Sequence, residues 1–115
     1  MKQLKYKFDL DCKVAIYVPS TKNVVEQTSN EQQVLRTITE LSKMFGGATA
    51  TEAIGGWICS NGQIITERVT IVYSFCKSND LANNIDDVIG ICERIKSEMS
   101  QEAVTLEING QVKFI

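Results

Sequence analysis

From Leu4 to Val18 the even positions read Leu, Tyr, Phe, Leu, Cys, Val, Ile and Val. The odd positions are Lys5, Lys7, Asp9, Asp11, Lys13, Ala15 and Tyr17. Alternation at period two over this length predicts one long half-buried strand, and Pro19 ends it because proline has no amide to give a ladder. A polar connection, STKNVVEQTSN (residues 20–30), follows. It is long for a compact domain, and long ordered loops often carry function, although a plain surface connection has the same composition. The period then changes to that of a helix. Val34, Ile38, Leu41 and Phe45 recur with Leu35 and Met44 beside them, and Ser29 with Gln32 has the form of a capping box. Gly46 and Gly47 stop this helix where a left-handed cap is wanted.

Two β-rich runs, ATATEAIGGWIC and QIITERVTIVYSFC, flank Ser60-Asn61-Gly62. Asn-Gly between such runs predicts a hairpin, since both residues accept positive φ. A second helix runs from about Ser78 to Met99 on the stripe Leu81, Ile85, Val88, Cys92, Ile95 and Met99, with Asp80, Asp86 and Asp87 toward its N-terminal end. AVTLEINGQVKFI closes the chain as one strand or as a small hairpin about Asn109-Gly110. The order β-α-β-β-α-β predicts an α+β, ferredoxin-like single domain over residues 1–115, with one antiparallel sheet and both helices on one face.

A two-residue turn at Asn61-Gly62 would fix the register of the central hairpin. Ile58 then meets Ile65, Trp57 meets Thr66, Gly56 meets Glu67, and Ile54 meets Val69. The helix-covered face receives Ala48, Ala50, Ile54, Ile58, Ile65, Val69, Ile71, Tyr73 and Phe75. Glu67 points into that face, with Glu52 nearer the end of the sheet. A buried carboxylate is costly unless it is hydrogen-bonded. Glu67 is therefore either a structural polar group, satisfied by loop amides or shifted by a bulge at Gly55-Gly56, or an acid placed at a site. A single acid without a convergent partner favours the structural reading. The uncovered face would carry Thr49, Thr51, Ala53, Gly55, Trp57, Thr66, Arg68, Thr70 and Val72, joined by Ala15 and Tyr17. Trp57 with Arg68 diagonally across has the composition of an interaction surface. An isolated tryptophan shielding sheet hydrogen bonds is the alternative.

Composition narrows function by exclusion. The 115 residues are 43% hydrophobic and 23% charged, as in an ordinary soluble domain. Twelve basic against fourteen acidic residues give a net charge of −2, so nothing pulls the chain toward nucleic acid in general. MKQLKYK is the only dense basic run. With no histidine, a Ser-His or Cys-His nucleophile pair cannot be built, and acid–base work would fall to Asp, Glu, Lys, Tyr or Cys. Cys12, Cys59, Cys76 and Cys92 have no C-x-x-C spacing, so they are expected as small apolar groups of a reducing compartment. No metal site, cofactor or catalytic residue is assigned. The charged, alternating start is unlike a signal peptide, and no apolar run approaches the roughly 20 residues that span a bilayer. The expectation is a cytoplasmic protein away from membranes.

Phe45, Gly47, Thr49, Gly55, Trp57, Gly62 and Glu67 form a pattern, F-x-G-x-T followed by G-x-W, G and E, that resembles a bacterial domain family of unknown function. The run FGGATATEAIGGW is also similar to small accessory proteins of plasmids, phages and other mobile elements of Gram-positive bacteria. That resemblance implies no catalytic residue. It implies an accessory or counter-defence role, of anti-CRISPR or anti-restriction type. The leading expectation is thus a non-enzymatic interaction protein that occludes a protein partner, with a host defence nuclease as the candidate target. Trp57, Arg68, Tyr17, Thr51 and Thr70, with the loop over residues 20–30, would form the docking surface, and the protein would be a homodimer. The competing expectation is a small dimeric enzyme or small-molecule-binding protein with a pocket near Glu67 and Tyr73.

Overall fold

The computed structural model describes residues 3–22 and 26–115. Strand β1 (Cys12–Pro19) leads into a short ribbon of β2 (Thr21–Lys22) and β3 (Glu26–Gln27), then helix α1 (Glu31–Phe45). The central hairpin is β4 (Thr49–Ile58) and β5 (Ile64–Cys76). Helix α2 (Ser78–Glu98) and a closing hairpin, β6 (Thr105–Ile108) and β7 (Gln111–Phe114), complete the chain. The main sheet has the order β4-β5-β1-β6-β7, with every neighbouring pair antiparallel. This is the expected ferredoxin-like α+β arrangement with one additional edge strand.

Both helices lie on the face of β1 that carries Val14, Ile16 and Val18, all of which are buried. Val72 and Leu106 join them from the neighbouring strands, and Leu41, Val88, Ile91, Cys92 and Ile95 descend from the helices. Gly46, at φ +91°, caps α1 and donates its amide to the Ser42 carbonyl at 2.8 Å, as its position after the last apolar turn predicts.

Three expectations need correction. The strand does not begin at Leu4. Residues 3–11 form no ladder, and Leu4, Tyr6, Phe8 and Leu10 are exposed. Their alternation is real, but β5 ends at Cys76 opposite Cys12 and turns into α2, so no strand remains to pair with them. Ser29 does not build a capping box either. The N-cap is Asn30, whose side-chain Nδ2 instead donates to the Val18 carbonyl and to Thr70 Oγ1, pinning the helix start to the sheet.

The third correction is the register of the central hairpin. The Cys59 amide bonds the Gln63 carbonyl, and the Gly62 amide returns to the Cys59 carbonyl, both at 2.9 Å. The loop is therefore three residues long, with Gly62 alone at positive φ (+84°) and Asn61 outside that region. Asn61 Oδ1 accepts from the Gln63 amide at 3.0 Å, a local bond that holds the asparagine in this turn. Ile58 consequently meets Ile64, Trp57 meets Ile65, and Gly55 meets Glu67. One residue of slip moves every side chain of β5 to the other face.

Candidate active site

In the observed register, Ile65, Glu67, Val69, Ile71, Tyr73 and Phe75 share the uncovered face with Thr51, Ala53, Gly55 and Trp57 of β4. Ala15 and Tyr17 of β1 lie on it as expected. Glu67 is thus on the open face, not under the helices. Arg68 and Thr70 move the opposite way. Thr70 is buried beneath α1 and accepts from Asn30. Arg68 pairs with Ile54 on the helix side, so it does not join Trp57 in one surface. Of the expected interaction residues, the structure keeps Trp57, Tyr17 and Thr51 on one face and removes Arg68 and Thr70. Within the loop over residues 20–30, residues 23–25 lie outside the described residues.

A cleft of about 330 Å³ opens on this face. Tyr17 and Pro19 of β1, Ala53 and Gly55 of β4, and Glu67, Val69 and Ile71 of β5 line it. Gln101 and Ala103, from the segment between α2 and β6, and Thr105, the first residue of β6, close one side. Opposite Glu67 stands Gly55, where an added Cβ would meet nothing within 4 Å, so the strand pair leaves open space before the carboxylate. Glu67 Oε2 accepts from Thr21 Oγ1 at 3.3 Å.

Beside the cleft, the Tyr17 hydroxyl donates to Glu107 Oε1 at 2.7 Å. That bond, then burial, then the negative charge of Glu107 push the Tyr17 pKa above its ordinary value of 10, so the phenol stays a donor at neutral pH. Among the described residues neither Glu67 nor Glu107 takes part in an ion pair, since the pairs present join Arg36, Glu40, Arg94 and Glu98 on the helices. Apolar walls around Glu67, an acid that lacks a cation, suit a ligand that is positively charged and partly apolar. No group of three His, Cys, Asp or Glu side chains among the described residues is arranged to hold a metal ion. No helix there is long and apolar enough to cross a membrane.

Tyr73 does not share this cleft, which corrects the expected pocket. It lies six residues farther along β5, roughly 20 Å at strand rise. There it stacks edge-on with Phe75, with Lys13 Nζ 4.4 Å from its ring centroid. The tip of the central hairpin has a different character. Ile54, Ile58 and Ile64 are 73%, 70% and 67% exposed on the helix side, beyond the reach of either helix, and Trp57 and Ile65 are exposed on the other.

Sequence reasoning missed Thr21, Gln101 and Glu107. Glu107 was legible in principle from the alternation of Thr-Leu-Glu-Ile in β6. Nothing local to Thr21 or Gln101 marks them, because they meet only through the fold.

No protein-family model matches the chain, and neither does any curated protein. Two solved structures do. One is a phage SAM lyase in complex with S-methyl-5′-thioadenosine, at 17% identity and TM-score 0.66, covering 96% of this chain and 95% of that one. The other is a phage SAM lyase in its apo state, at 17% identity and TM-score 0.68, covering 99% and 95%. The likeness is one of fold, along nearly the whole of both chains. It overturns the expectation of a non-enzymatic protein acting by occlusion: both of these similar structures are of an enzyme, and this chain has an acid-bearing cleft rather than the expected Trp57–Arg68 docking surface.

Proposed function

We propose that this protein is an enzyme that cleaves S-adenosylmethionine, with the cleft around Glu67 as its active site. The observation that carries the reading is the Glu67 carboxylate, without a cationic partner among the described residues, lining the cleft opposite Gly55, in a fold shared along nearly the whole chain with a SAM lyase. S-adenosylmethionine joins an apolar-faced purine to a sulfonium and an ammonium. Glu67 answers a cationic centre, and Val69, Ile71 and Ala53 flank it with apolar surface. Trp57, on the same face two residues from Gly55, offers a π surface for the purine.

The chemistry asks little of a protein. In the lyase reaction the substrate's own carboxylate oxygen bonds to Cγ as the Cγ–S bond breaks. The electron pair goes to sulfur, leaving neutral S-methyl-5′-thioadenosine and the protonated amino-lactone, so charge balances and no water is consumed. Holding the chain folded for that closure, with water excluded, is mainly a positioning task. Draining the methyl donor withholds it from SAM-dependent host enzymes, which is the counter-defence role we assign. Self-association, expected as a homodimer, belongs to the proposal, and the apolar hairpin tip supports it.

The test is direct. Purified protein with S-adenosylmethionine should release S-methyl-5′-thioadenosine, followed by chromatography and mass spectrometry. Glu67→Gln should keep the melting temperature within a few degrees while losing most of that release. A wild-type protein that leaves the substrate intact would sink the reading.

A further inference from the structure

Among the described residues of its short ribbon Thr21 alone is buried, at 4% exposure, and it sits between Glu67 and Gln101. Gln101 Nε2 donates to the Thr21 carbonyl at 2.7 Å and to the Met99 carbonyl at 3.1 Å. Two carbonyl acceptors fix which end of the amide faces Thr21, since only the NH₂ group can serve them. The same nitrogen lies 3.4 Å from Thr21 Oγ1, but its two protons go to the nearer carbonyls, so Gln101 holds Thr21 through the backbone. The threonine hydroxyl donates its proton to Glu67 Oε2 at 3.3 Å.

Gln101 is aimed there by the end of α2. Ser100 takes φ +50°, a left-handed conformation uncommon for a residue with a side chain, and the Gln101 amide returns to the Lys96 carbonyl at 2.9 Å. The chain thus reverses sharply, and Gln101 enters the cleft wall instead of solvent.

We propose that Thr21, held by Gln101, is a positioning residue that orients the Glu67 carboxylate toward the cleft. This rests on the reading of the cleft as the site of S-adenosylmethionine cleavage. The Thr21–Glu67 bond is long at 3.3 Å, and bonds of this kind tighten around a reacting ligand. The orientation costs the acid nothing in charge balance, because a hydroxyl donates without neutralising it. A lysine or arginine in the same place would satisfy Glu67 and remove its attraction for a cationic substrate.

Three proteins decide the matter: wild type, Thr21→Val and Thr21→Ser. Valine keeps the shape and the backbone carbonyl that Gln101 grips but removes the hydroxyl, whereas serine keeps the hydroxyl. With S-adenosylmethionine as substrate, Thr21→Val should lower kcat by about ten- to a hundredfold, the worth of one hydrogen bond to a charged group. KM should move far less, and Thr21→Ser should recover most of the loss. A Thr21 with a merely structural role would lower the melting temperature of the valine variant and leave kcat unchanged, which would overturn the proposal. Crystal structures of the two variants give a readout independent of turnover. Glu67 should keep its place in Thr21→Ser and leave it, or split between conformers, in Thr21→Val. An unmoved Glu67 in Thr21→Val overturns the proposal, whereas a wild-type protein inert toward S-adenosylmethionine overturns the lyase reading instead.

Discussion

Ile54, Ile58 and Ile64 stand on the helix side of the central hairpin where no helix reaches them, each about 70% exposed. Replacing all three with threonine removes apolar surface while retaining β-branching, so strand propensity is preserved. None is buried within one copy, so the fold has little packing to lose there. Full burial of an isoleucine side chain is worth about 1.5–3 kcal/mol, and about seven-tenths of that is available at each site. If the hairpin tip is where two copies meet, the three substitutions remove at most roughly 3–6 kcal/mol per copy, and because both copies carry them the upper bound is about four to nine decades in dissociation constant. Sedimentation velocity from low micromolar to several hundred micromolar protein would read this as a shift from assembly to monomer, with the melting temperature of the dilute protein little changed. Trp57 and Ile65, exposed on the opposite face of the same tip, are untouched by the triple variant, so residual association at the highest concentrations is expected. A wild-type protein that is monomeric throughout would refute the reasoning, as would a triple variant that assembles like wild type.

Other expectations follow from single groups. Gly90 lies on the outward side of α2 with nothing within 4 Å of a built Cβ, so Gly90→Ala should stabilise the fold by roughly 1 kcal/mol in urea denaturation and leave the proposed S-adenosylmethionine cleavage unchanged. Asp11 accepts from the Ser78 hydroxyl at 2.7 Å and from the Ser78 amide at 2.9 Å, capping α2, and these bonds hold its pKa below the ordinary 3.8. Because the folded value is depressed, its contribution is fully present above pH 3.8 and lost as the pH falls through the lower folded value. Asp11→Ala should therefore melt earlier than wild type at pH 7, with the difference vanishing in strong acid. Burial, reinforced by Cys12 beside it, pushes the Cys76 thiol up to about 12, and burial pushes Cys92 to about 11. For these raised values the stabilising contribution is whole below pH 9 and declines as the pH climbs toward 11–12, because only the unfolded thiols ionise there. Urea midpoints measured from pH 7 to 10.5 should fall at the alkaline end, and Cys76→Ala with Cys92→Ala should flatten that fall.

The two Asn-Gly pairs show what could be read from the chain and what could not. At Asn109-Gly110 both residues take positive φ, +51° and +82°, and the two-residue turn forms as the dipeptide suggests. Its asparagine is held from outside the turn: Asn109 Oδ1 accepts from the Lys13 amide at 2.7 Å, and its own amide donates to the Lys13 carbonyl. Asn61 has no neighbouring strand to grip. Its carboxamide oxygen turns inward to the Gln63 amide, the loop takes a third residue, and the register of β5 shifts by one. Fold class survived that error because helix periodicity, strand count and order do not depend on register. The site did not survive it, since the face on which Glu67 stands is decided by a single residue of slip. Period two says that alternate residues of β5 part company, but not which set meets the helices, and both sets of this strand hold enough valine, isoleucine and aromatics to look like a core. The buried set includes Thr70 and Ser74, which are polar yet satisfied by Asn30 and by the Gly47 carbonyl. The more apolar set, Val69, Ile71, Tyr73 and Phe75, faces outward. An uncovered face more apolar than the covered one is the physical reason the sequence misleads here, and it is also the best argument that this face is built to take a ligand or another copy of the chain.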